Sequence, residues 1–181
     1  MHDIEFYWRE ATAFHGNACP GLAIGCRIAV DAMTLLNVEE RVKGDEVMCI
    51  AETDACSLDG IQSVLGCTVG KGNLFLKQRG KQAFTFFRKG EEEGVRFCWT
   101  APNALPREQT ELEKIEWFLR APAKNLYVSK VIPVSMPTEA RTDANLVCTG
   151  CSERTSETMV RMVEGVPYCL DCFEDLARSR K

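Results

Sequence analysis

The spacing of apolar residues predicts two helices at the start of the chain. Apolar side chains recur every three or four positions over residues 4–14, which is typical of a short amphipathic helix ending at Gly16. Residues 21–38 are apolar on nearly every helical face, so we expect a second, buried helix there. Pro20 favours the first position of that helix, which makes Cys19 the predicted N-cap.

Two stripes interrupt the uniform surface of the second helix. Gly21, Gly25 and Ala29 recur every fourth residue and form a smooth ridge that would let a neighbouring backbone approach closely. Arg27 and Asp31 are also four residues apart, so we expect an ion pair along the helix.

Strand patterns dominate the middle of the chain. Short apolar or alternating segments bounded by glycine-rich turns predict strands at residues 46–51, 74–77, 82–88, 95–100 and 127–133. A short helix is predicted over residues 57–65, between the first two strands. The elements do not follow a regular βαβ alternation. The predicted fold class is therefore α+β, with helices packed on a mainly antiparallel sheet.

A further helix precedes the last of these strands. Pro106 marks its start and Pro122 its end. Glutamates at positions 108, 111, 113 and 116 form its predicted outer face. The predicted inner face consists of Leu112, Ile115, Phe118 and Leu119.

The end of the chain carries two Cys-x-x-Cys pairs at metal-binding spacing. The four thiols are Cys148, Cys151, Cys169 and Cys172. Residues 159–163 and 166–168 resemble two short strands, and a helical pattern follows the last cysteine, as in a treble clef. This predicts a closed, structural zinc site rather than two disulfides or a redox pair. The predicted domains are an α+β core at 1–134, a linker at 135–145 and a four-cysteine zinc finger at 146–181.

Composition narrows the functional classes. The chain has 181 residues, a net charge of −4 and a pI near 5.4, which argues against a nucleic-acid protein that relies on a broad basic surface. Acidic residues in the first positions argue against a secretory signal, and Arg27 and Asp31 interrupt the most apolar segment, so no membrane span is predicted. We predict a cytoplasmic protein whose ten cysteines are reduced thiols or metal ligands.

A second constellation lies in the predicted core domain. Cys19 and Cys56 both fall at predicted helix N-termini, where the helix dipole lowers the pKa of a thiol, and His15 lies close to Cys19. The histidine could act as a metal ligand, a general base or an ion-pair partner, and Asp54 and Asp59 bracket Cys56. Three ligands with a vacant fourth position would describe a reactive metal site. The alternative is that these cysteines are packing residues and that the histidine satisfies a turn.

The other four cysteines need a separate interpretation. Cys26, Cys49 and Cys98 lie in apolar or alternating segments and are interpreted as packing residues, whereas Cys67 is left unassigned.

Three segments of the core carry a family resemblance. Phe14-His-Gly-Asn-Ala-Cys-Pro-Gly-Leu22, Asp54-Ala-Cys-Ser-Leu-Asp-Gly-Ile-Gln62 and Gly66-Cys-Thr-Val-Gly-Lys-Gly-Asn-Leu74 together resemble the E-subunit family of molybdenum or tungsten formylmethanofuran dehydrogenase. The resemblance implies an α+β core, often dimeric, with shared polar residues near one cleft. It favours a site at His15, Cys19 and Cys56. Many relatives have a second histidine where this chain has Asn17.

The resemblance implies a supporting role, because the dehydrogenase chemistry belongs to other subunits. We predict an accessory metal-binding protein with structural zinc in the finger and a second transition metal or a small-molecule ligand in the core cleft. Its predicted partners are molybdenum or tungsten oxidoreductase subunits and a second copy of itself. Two alternatives remain. One is a thiol-dependent enzyme that uses Cys19 or Cys56 with His15 as base, and the other is a zinc-finger interaction module without catalysis.

Overall fold

The structure is a computed structural model that describes residues 2–100, 109–134 and 144–179. The chain divides into two compact units, Met1–Glu139 and Ala140–Lys181. The predicted limits of core, linker and finger stay predictions, because residues 135–143 lie outside the described part. None of the helices in the described ranges has the length and apolar character needed to cross a membrane.

The first unit combines helices with a five-stranded sheet. Its helices within the described residues are α1 Ile4–His15, α2 Pro20–Leu35, α3 Ser57–Leu65 and α4 Glu111–Arg120. Its strands are β1 Val47–Ala51, β2 Leu74–Leu76, β3 Ala83–Arg88, β4 Glu93–Trp99 and β5 Tyr127–Pro133. The predicted α+β class is confirmed, and the bounds of α3 and β5 match the predicted ones.

The sheet has the strand order β2-β1-β3-β4-β5. Strands β1, β3, β4 and β5 pair antiparallel, so the mainly antiparallel sheet is confirmed. Strand β2 is the exception, since it runs parallel to β1 with Cys49 opposite Leu74. The sequence analysis placed β2 with the antiparallel strands, and this was wrong. A helix, α3, connects β1 to β2, and such a crossover returns the chain in its original direction.

Local capping fixes the ends of the first two helices. Gly16 ends α1 with φ of 90°, a left-handed conformation that glycine adopts without a steric penalty. The Cys19 sulfur accepts a hydrogen bond from the Leu22 amide at 3.3 Å, so Cys19 is the N-cap of α2 as predicted. The helix ends at Leu35 rather than at residue 38, because Asn37 turns the chain with φ of 50°.

The glycine ridge of α2 faces α3. A Cβ built on Gly25 would lie 1.9 Å from the carbonyl oxygen of Ser57, so any side chain there would collide with the α3 backbone. The predicted close approach by a neighbouring element is therefore confirmed, and the neighbour is α3. The approach matters for function because α3 carries Cys56 at its N-terminus.

The predicted ion pair on α2 is present and extends to other elements. The Nε atom of Arg27 donates to the Asp31 carboxylate at 2.8 Å. Its Nη1 atom donates to the carbonyls of Leu119 and Ala121, at 2.9 and 2.8 Å, and so satisfies free carbonyls at the end of α4. The hydroxyl of Tyr127 donates to the same carboxylate at 2.6 Å. This cluster ties α2 to α4 and to the edge strand β5.

Apolar side chains from the sheet and the helices form one core. Phe84, Phe86 and Phe97 on the sheet are fully buried in the same cluster as Ile28 of α2 and Ile61 of α3. Full burial of one such side chain contributes about 1.5–3 kcal/mol, so this cluster is the main stabilising feature of the first unit.

Helix α4 differs from its prediction at its start. It begins at Glu111 behind a capping box between Thr110 and Glu113, while the predicted start at Pro106 and the predicted outer residue Glu108 lie outside the described residues. Leu112 was predicted to face inward but is 74% exposed. It lies in the first turn, and the buried stripe begins one turn later at Ile115.

The second unit is built from two hairpins and a helix. Its elements are β6 Asn145–Val147, β7 Arg154–Ser156, β8 Val160–Val163, β9 Val166–Cys169 and α5 Leu170–Ser179. The hairpin β8–β9 and the helix were expected, whereas β6–β7 was not. Among residues 144–179, Cys148 alone is buried, so this unit has almost no apolar core.

Candidate metal centres

One histidine and two cysteines from separate elements meet in the first unit. His15 is the last residue of α1, Cys19 is the N-cap of α2 and Cys56 is the N-cap of α3. Each offers one nitrogen or sulfur atom, and the three atoms lie within 4.8 Å of one another. The structure thus brings together all three residues that the sequence analysis proposed for the core site. Nitrogen and sulfur donors in such a cluster suit zinc and similar transition metals.

The imidazole of His15 is held from its far side. Its Nδ1 atom lies 2.7 Å from the Asp59 carboxylate, and its Nε2 atom lies 3.7 Å from the Cys19 sulfur. The second carboxylate oxygen of Asp59 accepts a hydrogen bond from the Gln62 amide at 3.2 Å. The ring therefore bridges the carboxylate on one side and the thiols on the other.

The absence of a side chain at Gly21 leaves space for the two thiols. A Cβ at this position would lie 3.2 Å from the Cβ of Cys56 and 3.9 Å from the sulfurs of both Cys19 and Cys56. An alanine would therefore crowd the site without a backbone clash. Gly21 was noted in the sequence only as part of the helix ridge, and its role beside the sulfurs depends on how α3 is placed.

The electrostatics of Cys56 differ from the expectation. We expected its helix N-terminus to lower the thiol pKa, but burial of the sulfur and its interactions with Cys19 raise the pKa. The nearby Asp59 carboxylate acts in the same direction. The expectation for Cys56 was wrong because two thiols that lie together disfavour two negative charges. A bound cation would reverse this balance, since a metal-bound thiol is deprotonated.

The four C-terminal cysteines form the second cluster. The sulfurs of Cys148, Cys151, Cys169 and Cys172 all lie within 4.8 Å of one another, and all four cysteines are free of disulfides. Backbone amides of Gly150 and Cys169 donate to the Cys148 sulfur at 3.3 and 3.2 Å. The Cys172 amide donates to the Cys169 sulfur at 3.5 Å. Amide donors directed at sulfur favour thiolate, which is the form that binds a metal ion.

The thiols of this cluster divide by protonation. Hydrogen bonds from the amides of Cys169 and Cys151 lower the pKa of Cys148 to about 6. The pKa of Cys172 is raised instead, chiefly by its hydrogen bond with the Cys169 sulfur. Without a cation, the cluster therefore shares protons among its sulfurs. The sequence-predicted set of four thiols suits one metal ion.

The remaining cysteines do not join either cluster. Cys26, Cys49 and Cys67 are fully buried, and burial raises the pKa of Cys26 and of Cys67 to about 12. Cys67, which the sequence left unassigned, directs its thiol toward the Val47 carbonyl at 3.5 Å. Cys98 is half-buried on β4. These thiols are neutral packing residues.

Sequence reasoning missed the residues that surround the core site. Asp59 was noted only as an acid near Cys56, and Gln62 was not singled out. The available signal was helical spacing, because Asp59 follows Cys56 by three residues and Gln62 follows Asp59 by three. Asp54, the other acid noted beside Cys56, is exposed.

Comparisons with known proteins agree with this architecture. The chain is 38% identical over 112 residues to a “Probable S-adenosyl-L-methionine-binding protein” of Archaeoglobus fulgidus, a match that covers 60% of this chain. The chain spans only 30% of that relative's length. A solved structure of an FmdE-like protein of tungsten formylmethanofuran dehydrogenase, from Syntrophus aciditrophicus, covers 96% of this chain and 94% of its own, with a TM-score of 0.72. The two sequences are 23% identical, so this likeness shows the fold alone.

A family profile identifies the first unit. The profile described as “FmdE, Molybdenum formylmethanofuran dehydrogenase operon” matches residues 14–128, which is more than half of the chain. The match includes His15, Cys19 and Cys56 and ends before the four C-terminal cysteines. The chain belongs to the FmdE family.

Proposed function

We propose that this chain is an accessory metal-binding protein with two different metal sites. A structural zinc ion would hold the C-terminal finger, and a second transition metal would occupy the His15, Cys19 and Cys56 site. The observation that carries the proposal is the convergence of two separate sets of nitrogen and sulfur donors, each within 4.8 Å.

The finger supports zinc through its geometry. Zinc–sulfur bonds of about 2.3 Å in a tetrahedron place the sulfurs about 3.8 Å apart. The sulfurs of Cys151 and Cys169 lie 3.9 Å apart, whereas a disulfide needs about 2.05 Å. With the second Cys-x-x-Cys pair spanning the end of β9 and the first turn of α5, the arrangement favours a treble clef. Four thiolates leave no open position, so this zinc would be structural.

The core site supports a different role. His15, Cys19 and Cys56 supply three donors, which leaves the fourth position of a tetrahedral ion to an exchangeable ligand. Cys56 is exposed, so a small molecule can reach that side of the site. When bound, the metal would act as a Lewis acid or as an anchor for such a ligand.

The family description supports the choice of partner. It refers to a molybdenum formylmethanofuran dehydrogenase operon, and we infer that this chain assists a molybdenum or tungsten oxidoreductase, as a homodimer. The Archaeoglobus relative adds a candidate small molecule, S-adenosyl-L-methionine, for the exchangeable position.

A thiol-dependent enzyme is the second candidate. The order Cys19, His15, Asp59 resembles a nucleophile, a base and an orienting carboxylate, with 3.7 Å between sulfur and Nε2 and 2.7 Å between Nδ1 and carboxylate. In that case the sulfur of Cys19 would be alkylated rapidly without a metal. A metal-bound thiol would be protected until a chelator is added.

Metal content per chain tests the proposal. We would purify the wild type anaerobically beside His15→Ala, Cys19→Ala and Cys151→Ser, and measure metals by elemental analysis and native mass spectrometry. Cys98→Ala is the matched control, because this half-buried thiol belongs to neither cluster. We expect two equivalents in the wild type and the control, and one in each of the other variants.

Two outcomes would overturn parts of the proposal. One equivalent of zinc in the wild type that is lost only in Cys151→Ser would remove the core metal site and favour the thiol enzyme or a pure interaction module. Two equivalents that persist in His15→Ala and Cys19→Ala would show that the second ion lies elsewhere.

A further inference from the structure

We propose that Asp59 is a positioning residue that holds His15 in one tautomer, with the proton on Nδ1 and the lone pair of Nε2 directed at the Cys19 and Cys56 thiols. The metal-affinity part of this inference rests on the proposed core metal site, whereas the tautomer itself does not. A neutral imidazole has one protonated nitrogen and one acceptor nitrogen, and the hydrogen bond at one position decides which is which.

The contacts of the ring favour this tautomer. A carboxylate only accepts hydrogen bonds, so the 2.7 Å contact between Nδ1 of His15 and the Asp59 carboxylate requires the proton on Nδ1. Nε2 then presents its lone pair toward the Cys19 sulfur, 3.7 Å away. Nε2 is therefore available as a metal ligand without rotation of the ring.

The carboxylate is itself fixed in place. The Gln62 amide donates to the second Asp59 oxygen at 3.2 Å, from the next turn of the same helix. The Asp59 amide donates to the Cys56 carbonyl at 3.1 Å. One helical turn therefore carries both a sulfur donor and the group that orients the nitrogen donor. The side chain of Asp59 is 37% exposed, and the clamp from Gln62 restricts its rotation despite this exposure.

A partner of this kind usually acts through the metal ligand. A carboxylate that accepts a hydrogen bond from a ligating histidine fixes the ring and raises its basicity, and loss of such a partner lowers metal affinity roughly 10- to 100-fold. We expect that effect for Asp59 and a smaller one for Gln62. Asp54 offers a matched control, because it carries the same charge two residues before Cys56 but is exposed.

The tautomer is measured first, on metal-free protein. The chain has two histidines, so ¹⁵N-labelled His2→Gln protein leaves the His15 ring alone in long-range ¹H–¹⁵N correlation spectra at mildly alkaline pH. We expect the Nδ1–H tautomer to predominate in this background and in Asp54→Asn. In Asp59→Asn the amide can donate to Nδ1, so the Nε2–H tautomer should gain population. A ring that is mainly Nε2–H, or that responds equally to both variants, would overturn the inference.

Metal affinity gives the second readout. Protein with zinc in its finger is titrated with Co²⁺ in competition with a chelator, and thiolate-to-cobalt absorption reports the core site. Affinity should fall about 10- to 100-fold in Asp59→Asn and stay near wild type in Asp54→Asn. Equal affinities in the two variants would overturn the positioning role. Failure of wild-type protein to bind Co²⁺ would instead overturn the proposed metal site, and the tautomer spectra would still decide the role of Asp59.

Discussion

Gly25 of α2 and Gly60 of α3 lie against each other where the two helices cross. A Cβ on Gly60 would lie 2.7 Å from the Gly25 carbonyl carbon and 2.5 Å from the Cys26 amide nitrogen. Neither distance is compatible with a side chain, so the pair sets the separation of the two helices. The same crossing brings Cys19 and Cys56 together, because each lies at the N-terminus of one of these helices.

Alanine at either glycine should force the helices apart. For Gly25→Ala and Gly60→Ala we expect a loss of about 1–3 kcal/mol in the free energy of unfolding, even after the gain of about 1 kcal/mol in helix propensity. Gly70→Ala is the control, because nothing lies within 4 Å of its Cβ, and it should change stability by less than about 0.5 kcal/mol. Urea denaturation followed by tryptophan fluorescence measures all three. A change within about 0.5 kcal/mol for Gly25→Ala would contradict the prediction.

Removal of the Tyr127 hydroxyl should destabilise the first unit in a pH-dependent way. Burial, and then the hydrogen bond to Asp31, raise the pKa of Tyr127. Because the folded pKa is higher than the unfolded value of about 10, this stabilisation is complete below about pH 10 and is lost as the pH rises toward the folded value. We expect Tyr127→Phe to lose about 1.5–3 kcal/mol at neutral pH.

Denaturation at a series of pH values checks this prediction. The difference between wild type and Tyr127→Phe should be constant between about pH 7 and 9 and should shrink above about pH 10. Tyr7→Phe is the control, since burial and the charge of Glu40 raise the pKa of that phenol. A difference that grows with alkaline pH would have the wrong sign.

A second ion pair, between Glu52 and Arg96, should give the opposite pH dependence. The two side chains are 14% and 16% exposed and join through two hydrogen bonds of 2.6 and 2.9 Å. The hydrogen bonds to Arg96 lower the pKa of Glu52. Its stabilisation is therefore complete above the unfolded pKa of about 4.3 and is lost as the pH falls through the folded value.

Breaking this pair should cost more than replacing it. We expect Glu52→Gln to lose about 3 kcal/mol at neutral pH, because Arg96 would keep a nearly buried charge without its partner. The double variant Glu52→Met with Arg96→Met should lose much less. Urea denaturation at about pH 7 and about pH 3 tests both statements, and a Glu52→Gln deficit that persists undiminished at the acidic pH would contradict them.

Metal removal should unfold the second unit and leave the sheet of the first unit intact. Cys148 is the only buried residue between positions 144 and 179, so thiol–metal bonds would supply most of the stability there. All three tryptophans lie in the first unit, so their fluorescence reports that unit alone. After chelation we expect loss of amide dispersion for residues of the finger and an unchanged tryptophan spectrum. Retention of finger dispersion in metal-free protein would contradict this.

The sequence predicted local structure where one pattern decided it. Helix α3 at residues 57–65 and strand β5 at 127–133 agree at both ends, because turn residues and apolar spacing bound them. Helix α2 was predicted too long, because apolar residues continue past Leu35 into a turn at Asn37. The hairpin β6–β7 was missed because its short, largely polar strands carry no alternation, and its turn holds the first two cysteines.

The sequence predicted the site less completely than the fold. It supplied His15, Cys19 and Cys56, since each stands beside a helix terminus. It could not supply the contact between His15 and Asp59, because that contact depends on how α1 and α3 are placed in space. The raised pKa of Cys56 was unpredictable for the same reason, since the neighbouring thiol and the burial come from tertiary structure.

The lack of an apolar core in the second unit has a consequence for turnover of the protein. A unit held by sulfur–metal bonds has a lifetime set by the rate of metal exchange, whereas the first unit depends on the unfolding of its buried phenylalanines. A protease that meets the chain after metal loss would cut within residues 144–179 first. The exposed Met159 and Met162 would be open to oxidation in either state. The two ends of one polypeptide would therefore age by different chemistry.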